Sequence, residues 1–488
     1  MPGRLKPTPP KRRIEQLDRV LAASPDAVEA RFERAGLLRE QGRFEEAKRD
    51  YLELIRLRPT DFTALNDFGT LVLKAGYKDA ACSLFSEAVR HHPNNPMGHV
   101  NLATLLFLLG ELEQAREHFE AALRLDPRNV HAHRGMGNLL AETGDQAGAR
   151  WHREKGFRTR FLTTLPYRGD QAPIRMLLLV SGAGGNTPMT SFLDDHVFET
   201  HIVVADYYDP KTPLPPHDVV FNSIGDADIC RDALAAACTL IKRTQRPVIN
   251  HPLAVLKTGR LSNVERLRGL PNVVVPRMVM CKRTMLAGLA AAALVAEGGF
   301  KFPLLVRAPG FHTGQYFHRV DDLAGLAAAA SQIPGDDVWL IEQLDARDAD
   351  GMFRKLRVML IDGQLYPLHL AIAKDWKVHY FTAGMADAPE HRLVDGEFLA
   401  DMERAIGTPA VAALQRICAT LGLDYAGIDF AVNARGEILF FEANATMVMA
   451  PLSADPKWDY RRPAFDAVFA AVRRMITERA AHRSVASA

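Results

Sequence analysis

The stretch Asp424-Tyr-Ala-Gly-Ile-Asp-Phe-Ala-Val-Asn-Ala-Arg-Gly-Glu-Ile-Leu-Phe-Phe-Glu-Ala-Asn444 consists of two runs of β-branched and aromatic residues on either side of a polar turn. This pattern predicts a β-hairpin. A turn centred between residues 435 and 436 places Asp429 directly opposite Glu442. Asn444 then shares the face of Glu442, because side chains alternate along a strand.

These three side chains predict a magnesium site. Two opposed carboxylates in an apolar hairpin repel each other, and burying them without a counter-charge is costly. A divalent cation removes the conflict, and three hard oxygen donors without thiol or imidazole favour Mg²⁺ over zinc. Two other interpretations stay open at this point: a solvated hairpin face, or a register that separates the acids.

Length and charge narrow the class of protein. The chain has 488 residues, enough for about two to four domains with substantial cores. The net charge is +2, from 60 basic and 58 acidic residues, so we expect no nucleic-acid partner. Residues 1–13 combine one-signed charge with prolines, which predicts a disordered basic leader, and they lack the apolar segment of a secretory signal.

Apolar runs and cysteines bear on the compartment. The most apolar run, residues 285–295, is too short to span a bilayer and predicts a core helix, so we expect no membrane partner. The five cysteines are scattered without CxxC spacing. This favours a reducing cytoplasm and argues against structural zinc or disulfides.

A 34-residue repeat organises residues 14–160. The recurring residues are Pro25, Pro59, Pro93 and Pro127; Gly42, Gly76, Gly110 and Gly144; Ala47, Ala81, Ala115 and Ala149; Ala35, Gly69, Ala103 and Gly137; and Tyr51, Phe85 and Phe119. Small residues let two helices pack closely, glycine turns the chain between them, and proline ends the second helix. The spacing therefore predicts a solenoid of helical hairpins, preceded by a helix over 14–24.

This array resembles the tetratricopeptide repeat family, with repeats over 26–59, 60–93, 94–127 and from 128 onward. Arg153 stands where the fourth repeat would have its aromatic, as in a terminal cap. The resemblance implies a peptide-binding groove lined by the first helix of each repeat, here with Asn66, Thr70, Lys74, Met97, Val100, Thr104, Phe107, Arg134 and Asn138. Asn66, Arg134 and Asn138 are the candidates for hydrogen bonds to an extended peptide. Self-association, including a homodimer, and simple scaffolding are the alternatives.

Residues 161–173 predict a linker, and residues 174–250 a parallel α/β layer. Strand-like segments at 176–180, 202–205 and 218–222 alternate with helical stretches such as 231–244. Two glycines and a later acid suggest a dinucleotide-binding fingerprint. Thr187 and Pro188 replace its third glycine and helix start, however, so we set NAD aside.

Further strands carry candidate ligands. Residues 302–315 predict a strand that runs into a glycine-containing loop, with Arg307 at the strand end. Backbone amides of such a loop can approach an anion, and an arginine can hold phosphate bidentately. Residues 338–344 predict another strand, and residues 356–372 predict a hairpin that has Arg357 near its start.

The order of these segments, over about 174–476, resembles the ATP-grasp superfamily, close to D-alanine–D-alanine ligases, glutathione synthetases and ribosomal-protein glutamate ligases. The matching segments are 247–252, 302–315, 341–344, 356–372, 427–429 and 442–444. The resemblance implies a pre-ATP-grasp domain over 174–250, an ATP-grasp domain over 251–480 and a tail over 481–488. The expected fold class is thus multidomain: an all-α helical-repeat solenoid followed by an α/β and α+β ATP-grasp module.

The same resemblance implies residue roles and cofactors, ATP and Mg²⁺. It places Asp429, Glu442 and Asn444 on the metal; Glu342, Gln343 and Leu344 at the adenine hinge; Arg260 and Arg307 on the nucleotide phosphates; and Arg307 and Arg357 in catalysis. His312 and His379 are candidates for substrate contacts.

The leading hypothesis is an ATP-dependent carboxylate–amine ligase that acts through an acyl phosphate. The array would hold a peptide or protein substrate, and a small molecule would be the acyl donor or the amine acceptor. The alternatives are a small-molecule amino-acid ligase whose repeats serve assembly, and a non-catalytic ATP-binding repeat scaffold. The superfamily usually has lysines where this chain has Arg260 and Arg307, which keeps an inactive module among the hypotheses.

Overall fold

The chain divides into two compact units, Met1–Thr159 and Arg160–Ala488. The computed structural model describes residues 10–310, 314, 316–380, 383–449, 452–453 and 455–481. Residues 1–9 of the predicted leader, His312 and residues 482–488 of the predicted tail lie outside the described residues. The first described helix begins at Pro10, so the end of the predicted leader is helical.

The described part of the N-terminal unit is built from α-helices joined by short turns. They are α1 (Pro10–Ala23), α2 (Val28–Glu40), α3 (Phe44–Leu57), α4 (Phe62–Lys74), α5 (Lys78–His91), α6 (Pro96–Leu109), α7 (Leu112–Leu125), α8 (Val130–Glu142) and α9 (Gln146–Phe157). These are the helical hairpins that the 34-residue spacing predicts.

Local chemistry explains the hairpins. The turns within them contain Gly42, Gly76, Gly110 and Gly144, all with φ between 70° and 91°, a region that glycine adopts without strain. A Cβ atom at Gly69 would lie 2.6 Å from the ring of Phe85, so the glycine permits the close packing of α4 on α5. The repeated aromatic slot, occupied by Tyr51, Phe85 and Phe119, is buried.

The second unit begins with a five-stranded sheet. Its strands are β1 (Leu162–Thr164), β2 (Ile174–Val180), β3 (Phe198–Val204), β4 (Val219–Asn222) and β5 (Val248–Ile249), in the order β1-β3-β2-β4-β5. β2 to β5 are parallel, as predicted, and α10 (Arg231–Ile241) follows β4. The prediction of a linker over 161–173 is partly wrong, because this segment contains β1. β1 pairs antiparallel with β3 and so supplies hydrogen bonds to the outer side of β3.

A four-stranded antiparallel sheet and a five-stranded mixed sheet follow. One has the order β7-β10-β8-β9, formed by β7 (Met278–Lys282), β8 (Leu304–Arg307), β9 (Phe317–Val320) and β10 (Asp337–Glu342). The larger one has the order β12-β11-β13-β14-β6, formed by β6 (Val273–Val274), β11 (Phe353–Ile361), β12 (Gln364–Ala373), β13 (Tyr425–Val432) and β14 (Ile438–Asn444). This larger sheet is antiparallel except for β6, which pairs parallel with β14. Residues 433–437 turn between β13 and β14, so the predicted hairpin is confirmed.

Helices cover these sheets. They are α11 (Pro252–Val255), α12 (Arg260–Leu267), α13 (Gly288–Glu297), α14 (Leu323–Ser331), α15 (Pro389–Ala400), α16 (Met402–Ile406), α17 (Thr408–Leu421) and α18 (Arg462–Ala481). One continuous core contains Leu177 of β2, Leu234 of α10, Ile417 of α17 and Ile428 of β13. The parallel sheet and the larger antiparallel sheet therefore share a core, which brings their strand ends together.

Residues 285–295 are not a core helix. They cover part of a 3₁₀ turn, Arg283–Leu286, and most of α13, in which Ala291 is the buried residue and Leu289 is 90% exposed. Apolar character alone does not decide burial, because a folded surface is itself largely apolar. Across the described residues, the helices are too short or too polar for a bilayer crossing.

Candidate functional site

A row of polar side chains crosses four neighbouring strands of the larger sheet. In register, Glu442 on β14 faces Asp429 on β13, Asp429 faces Arg357 on β11, and Arg357 faces His369 on β12. Directly opposed residues on neighbouring strands project from the same face. The fold therefore brings two predicted metal ligands and one predicted catalytic arginine onto one line.

The predicted opposition of Asp429 and Glu442 is confirmed, but the turn has a different register. Next to the turn, Val432 pairs with Ile438 and Phe430 with Phe440, so the hairpin is centred on Arg435. Without a correction, Asp429 would face Phe441. A β-bulge inserts Phe441 as an extra residue and restores the opposition of the two acids.

Two cations hold Asp429, which is fully buried. Arg357 donates from Nε to Oδ1 at 2.5 Å and from Nη2 to Oδ2 at 2.8 Å, and Lys355 Nζ lies 2.5 Å from Oδ2. Burial alone would raise the pKa of Asp429, but the charges of Arg357 and Lys355 outweigh it and lower the pKa well below its ordinary value. Burial lowers and Asp429 raises the pKa of Arg357, with a net increase.

Lys355 is the residue that the sequence analysis missed. It lies two residues before Arg357 on β11, so the alternation of side chains places both on one face. That periodicity was visible in the sequence. The missing information was that this face of β11 points at Asp429, which depends on the pairing of β11 with β13.

Glu442 has its own cations. Arg260, at the first position of α12, donates from Nη2 to Oε2 at 2.7 Å, and Nη1 of Arg307 lies 4.0 Å from the same oxygen. Burial opposes ionisation of Glu442, but Arg260 and then Arg307 outweigh burial and repulsion by Asp429, which lowers the pKa of Glu442 to about 2. We call Lys355, Arg357, Arg260, Arg307, Asp429 and Glu442 the charged cluster.

The charged form of Arg307 is disfavoured by its surroundings. Its side chain is 12% exposed. Burial, and then repulsion by Arg260, lower the pKa of Arg307 to about 10 despite the opposing charges of Glu442 and Asp226. A buried guanidinium next to a second one favours an added negative charge.

A small cavity of about 50 Å³ adjoins the cluster. It is lined by Gly225, Asp226 and Asp228 after β4, by Thr258, Arg260 and Asn263 at α12, and by Glu442 and Asn444 of β14, among others. Asn263 fixes α12 to β14, because its Nδ2 donates to the carbonyl of Ala443 at 2.9 Å. A cavity of this size has room for a cation and a few waters.

The donor types suit Mg²⁺, although the arrangement is divided. Glu442 and Asn444 line the cavity, and Asn444 Oδ1 accepts from Thr446 N at 3.0 Å and Oγ1 at 2.8 Å. Asp429 lies beside Glu442 but is bound by Lys355 and Arg357. Among the described residues, no group of three or more His, Cys, Asp or Glu is placed to hold a metal, so the site depends on two carboxylates and one amide.

The remaining predicted residues of the second unit lie at or just after the end of β10, or follow β12. Glu342 pairs with Leu304 on β8, three residues before Arg307, or about 10 Å along the strand. Its carboxylate accepts from the backbone N–H of Arg277 at 3.2 Å, and Gln343 Oε1 accepts from Arg319 at 2.8 Å. Leu344 packs in a small cluster with Ala431 and Leu439 of the larger sheet.

Two histidines flank the β12 end of the row. Burial, and then the charges of Arg357 and Arg461, lower the pKa of His369 well below its ordinary value. Burial, and then Lys355 and Arg357, lower the pKa of His379. Both shifts favour the neutral ring beside the cations of the cluster.

The predicted groove of the array needs a correction. Asn138 is exposed, and Asn66 Oδ1 accepts from Asn101 at 2.5 Å. Arg134 instead packs within the array: its Nε donates to the carbonyl of Gly156 at 2.8 Å and its guanidinium lies 4.3 Å from the centre of the Phe157 ring. Val100 is buried. Periodicity placed these residues on the right helices but not their side chains.

The similarity to known protein families lies in the N-terminal unit. Its successive helical hairpins define a helical-repeat domain. Residues 14–62 match a family model described as tetratricopeptide repeat, and residues 103–144 match one described as TPR repeat. The N-terminal unit therefore contains tetratricopeptide repeats, which point to a protein-interaction or peptide-binding role.

Solved structures with similarity to this chain include repeat proteins. A crystal structure of MamA is 20% identical, with a TM-score of 0.28 over 30% of this chain and 84% of that chain. MamA from Desulfovibrio magneticus RS-1 is 21% identical, with a TM-score of 0.29 over 31% and 87%. YrrB, described as a TPR protein with an unusual peptide-binding site, is 19% identical, with a TM-score of 0.28 over 31% and 78%. No curated protein sequence matches the chain.

Proposed function

We propose that the second unit is an ATP-grasp ligase that joins a carboxylate to an amine through an acyl phosphate, using ATP and Mg²⁺. The observation that carries this proposal is the charged cluster on the face of the larger sheet. Two acids and four cations from five separate segments converge there, and they combine the donor types that a metal–nucleotide complex requires.

The balance of charge favours an anionic ligand. Four cations and two acids give the cluster a net charge of +2, and Asp226 reduces the local excess by one. Surplus positive charge in a largely buried site is unfavourable. The lowered pKa of Arg307 is consistent with this, because burial and the neighbouring Arg260 both disfavour its charged form. A magnesium–nucleoside triphosphate complex is anionic at neutral pH and would offset the surplus.

The residues divide the chemistry as follows. Asp429, Glu442 and Asn444 would hold Mg²⁺, which when bound supplies positive charge next to the transferring phosphoryl group. Arg260 and Arg307 would leave Glu442 for the nucleotide phosphates. Lys355 and Arg357 would leave Asp429 for the phosphoryl group and the substrate carboxylate. Each exchange replaces an ion pair within the protein by one to the ligand, so no charge is left buried alone.

The reaction balances without a further reactant. The substrate carboxylate attacks the γ-phosphorus, which forms the acyl phosphate and releases ADP. The amine then attacks the acyl carbon, a C–N bond forms, phosphate leaves and the amine loses a proton. Arginines that bind the phosphoryl oxygens stabilise the charge that builds up in the first step.

The architecture supports the same assignment. The larger sheet and the four-stranded antiparallel sheet, which carries Arg307 and Glu342 at separate points of a strand pair, could hold the phosphates and the base of one nucleotide. The spacing of about 10 Å between these points is within the length of ATP. The N-terminal repeats support a peptide or protein substrate, since such arrays bind extended peptides.

Trapping the acyl phosphate tests the proposal. We expect the full-length protein, supplied with Mg-ATP, a mixture of amino acids and short peptides, and hydroxylamine as the amine, to produce hydroxamate, ADP and phosphate in equal amounts. Glu442→Gln should abolish all three, whereas Glu437→Gln, beside the turn of the same hairpin and outside the charged cluster, should not. AMP and pyrophosphate as products would contradict the proposal.

One observation favours the non-catalytic alternative, namely that Asp429 is bound by Lys355 and Arg357. If that clamp is permanent, the unit would bind nucleotide without turnover. Calorimetric titration with Mg-ATP distinguishes the two: tight binding without product from any donor would support a nucleotide-bound scaffold. The small-molecule ligase remains the second enzymatic candidate.

A further inference from the structure

Two histidine pairs occur at equivalent positions of the third and fourth repeats. His99 on α6 faces His118 on α7, and His133 on α8 faces His152 on α9, each with Nδ1 atoms 2.9 Å apart. His99 and His133 are 34 residues apart, as are His118 and His152, so the two pairs are in register with the repeat. The inner ring of each pair is also anchored through Nε2, His99 to the carbonyl of Pro93 at 2.9 Å and His133 to that of Pro127 at 3.1 Å.

These contacts determine where the protons are. A carbonyl only accepts, so Nε2 of each inner histidine carries a hydrogen. A neutral inner ring then has a lone pair on Nδ1, and the outer ring, His118 or His152, must donate from its own Nδ1–H. Each pair keeps its N–H···N hydrogen bond when it takes up one proton, because the ring that remains neutral still offers a lone pair on Nδ1. With both rings protonated, two N–H groups would face each other at 2.9 Å.

The same position differs in the first two repeats. Arg31 and Asp50 form an ion pair there at 3.1 Å, and Arg31 also donates to the carbonyl of Pro25. In the second repeat the position is occupied by Leu65 and Leu84. The first helices and second helices of the repeats thus meet through an ion pair, an apolar pair and two histidine pairs, and histidine is the side chain that ordinarily titrates in mild acid.

The surroundings oppose protonation of the outer rings. Burial, and then the neighbouring His99, lower the pKa of His118, with Glu117 on the same helix acting against them. Burial, and then His133, lower the pKa of His152 to about 4, with Asp145 acting against them. Trp151 packs against both rings of the second pair.

We propose that the two histidine pairs make the third and fourth repeats open under mildly acidic conditions while the first two repeats stay closed, so that acid releases a peptide from the array. This inference does not depend on the ligase chemistry. α6 and α8 carry groove residues such as Thr104 and Asn138, so separation of each from its partner helix alters the groove.

Proton binding determines the direction in which the stability of these repeats changes with pH. The outer histidines have a lower pKa in the folded than in the unfolded chain, so the unfolded repeats bind more protons as the pH falls. For the His133–His152 pair, the stabilising contribution to the folded repeat is fully present above the ordinary histidine pKa of 6.5. It decreases as the pH falls toward the folded-state pKa of His152, about 4, and changes no further below that pH.

Hydrogen exchange of the full-length protein, corrected for the intrinsic rate at each pH, tests the proposal. Between about pH 7.5 and about pH 5 we expect protection in α6–α9 to fall by about tenfold or more relative to α2–α5, after discounting for the partial exposure of the outer rings. Replacing all four histidines by leucine, the pair found in the second repeat, should remove the difference.

Because the four-leucine variant could fail to fold, a second variant introduces a histidine pair into the second repeat. Leu65→His with Leu84→His should give α4 and α5 the same acid sensitivity. Equal loss of protection in α2–α5 and α6–α9 of the wild type would overturn the proposal, as would persistence of the difference in the four-leucine variant or an acid-insensitive transplant.

Discussion

Asp429 owes its charge to two neighbouring cations rather than to solvent. Lys355 and Arg357 both bind the carboxylate, and Arg357 does so through two hydrogen bonds. In the proposed metal site, Mg²⁺ would compete with Lys355 for the same oxygen of Asp429. Removal of that lysine would therefore separate the structural part of the interaction from the proposed functional part.

We predict that Lys355→Met lowers the stability of the metal-free protein by about 1–3 kcal/mol, since Asp429 keeps Arg357. Mg²⁺ should then stabilise the variant more than the wild type, because one competing cation is gone. Thermal unfolding with and without Mg²⁺ measures both effects. The control is Lys282→Met, which breaks an exposed ion pair to Asp337 at 2.8 Å. Equal Mg²⁺ shifts in the wild type and Lys355→Met would argue against a metal on Asp429.

The lowered pKa of Glu442 leads us to predict that the stability of the protein depends on pH. The pKa of Glu442 falls from 4.5 to about 2 on folding, so its ion pairs with Arg260 and Arg307 contribute stability above about pH 4.5 that is lost as the pH falls toward 2. Glu442→Gln should be less stable than the wild type at neutral pH and should lose less stability across that acid range. Denaturant titrations at several pH values show this; Glu265→Gln, an exposed residue of α12, is the control. Parallel curves for the wild type and Glu442→Gln would contradict the assignment.

At the scale of elements, the sequence predicted what is local and periodic. The 34-residue repeat fixed the helical hairpins, and the alternation around 433–436 fixed the β13–β14 hairpin. The bulge at Phe441 was not predictable, because it depends on how β14 fits against β13 and not on either run alone. Lys355 was missed for the same reason: its role depends on the pairing of β11 with β13, which lie more than sixty residues apart in the chain.

The error at residues 285–295 also has a physical cause. Composition indicates an apolar segment, but burial requires an opposing surface, and α13 presents much of its length to solvent. Leu286, in the 3₁₀ turn, packs in the core of the four-stranded sheet, whereas Leu289 is 90% exposed. Two leucines three residues apart thus have opposite environments.

That contrast gives a stability prediction. Leu286→Ala should destabilise the protein by about 2–5 kcal/mol, because it leaves a cavity in a packed core. Leu289→Ala should change the stability by less than about 0.5 kcal/mol, as expected for an exposed position. Chemical denaturation measures both. A large effect of Leu289→Ala would mean that α13 is covered in solution by a partner or by another copy of the chain.

At the scale of the whole molecule, the two units have separate cores, so the proposed division of labour is testable by substitutions that each affect one unit. Loss of groove hydrogen bonds removes binding energy that is present throughout the reaction, which raises KM and leaves kcat unchanged. Loss of a charge that acts on the phosphoryl group lowers kcat. The two classes of variant should therefore differ in kind.

We predict that Asn66→Ala with Asn138→Ala weakens peptide affinity by about 1–3 kcal/mol, because net hydrogen bonds are modest and not additive. Arg134 is left unchanged, since its guanidinium already contacts Gly156 and Phe157. Asn66, by contrast, would exchange its hydrogen bond from Asn101 for one to the peptide. Mg-ATP affinity should be unaffected, and Glu442→Gln should show the reverse pattern. Ser83→Ala, on the exposed face of α5, is the control. Calorimetry with the peptide and with Mg-ATP provides both affinities. If the double variant binds peptide as the wild type does, the array does not select the substrate through these side chains, and the small-molecule ligase becomes the better hypothesis.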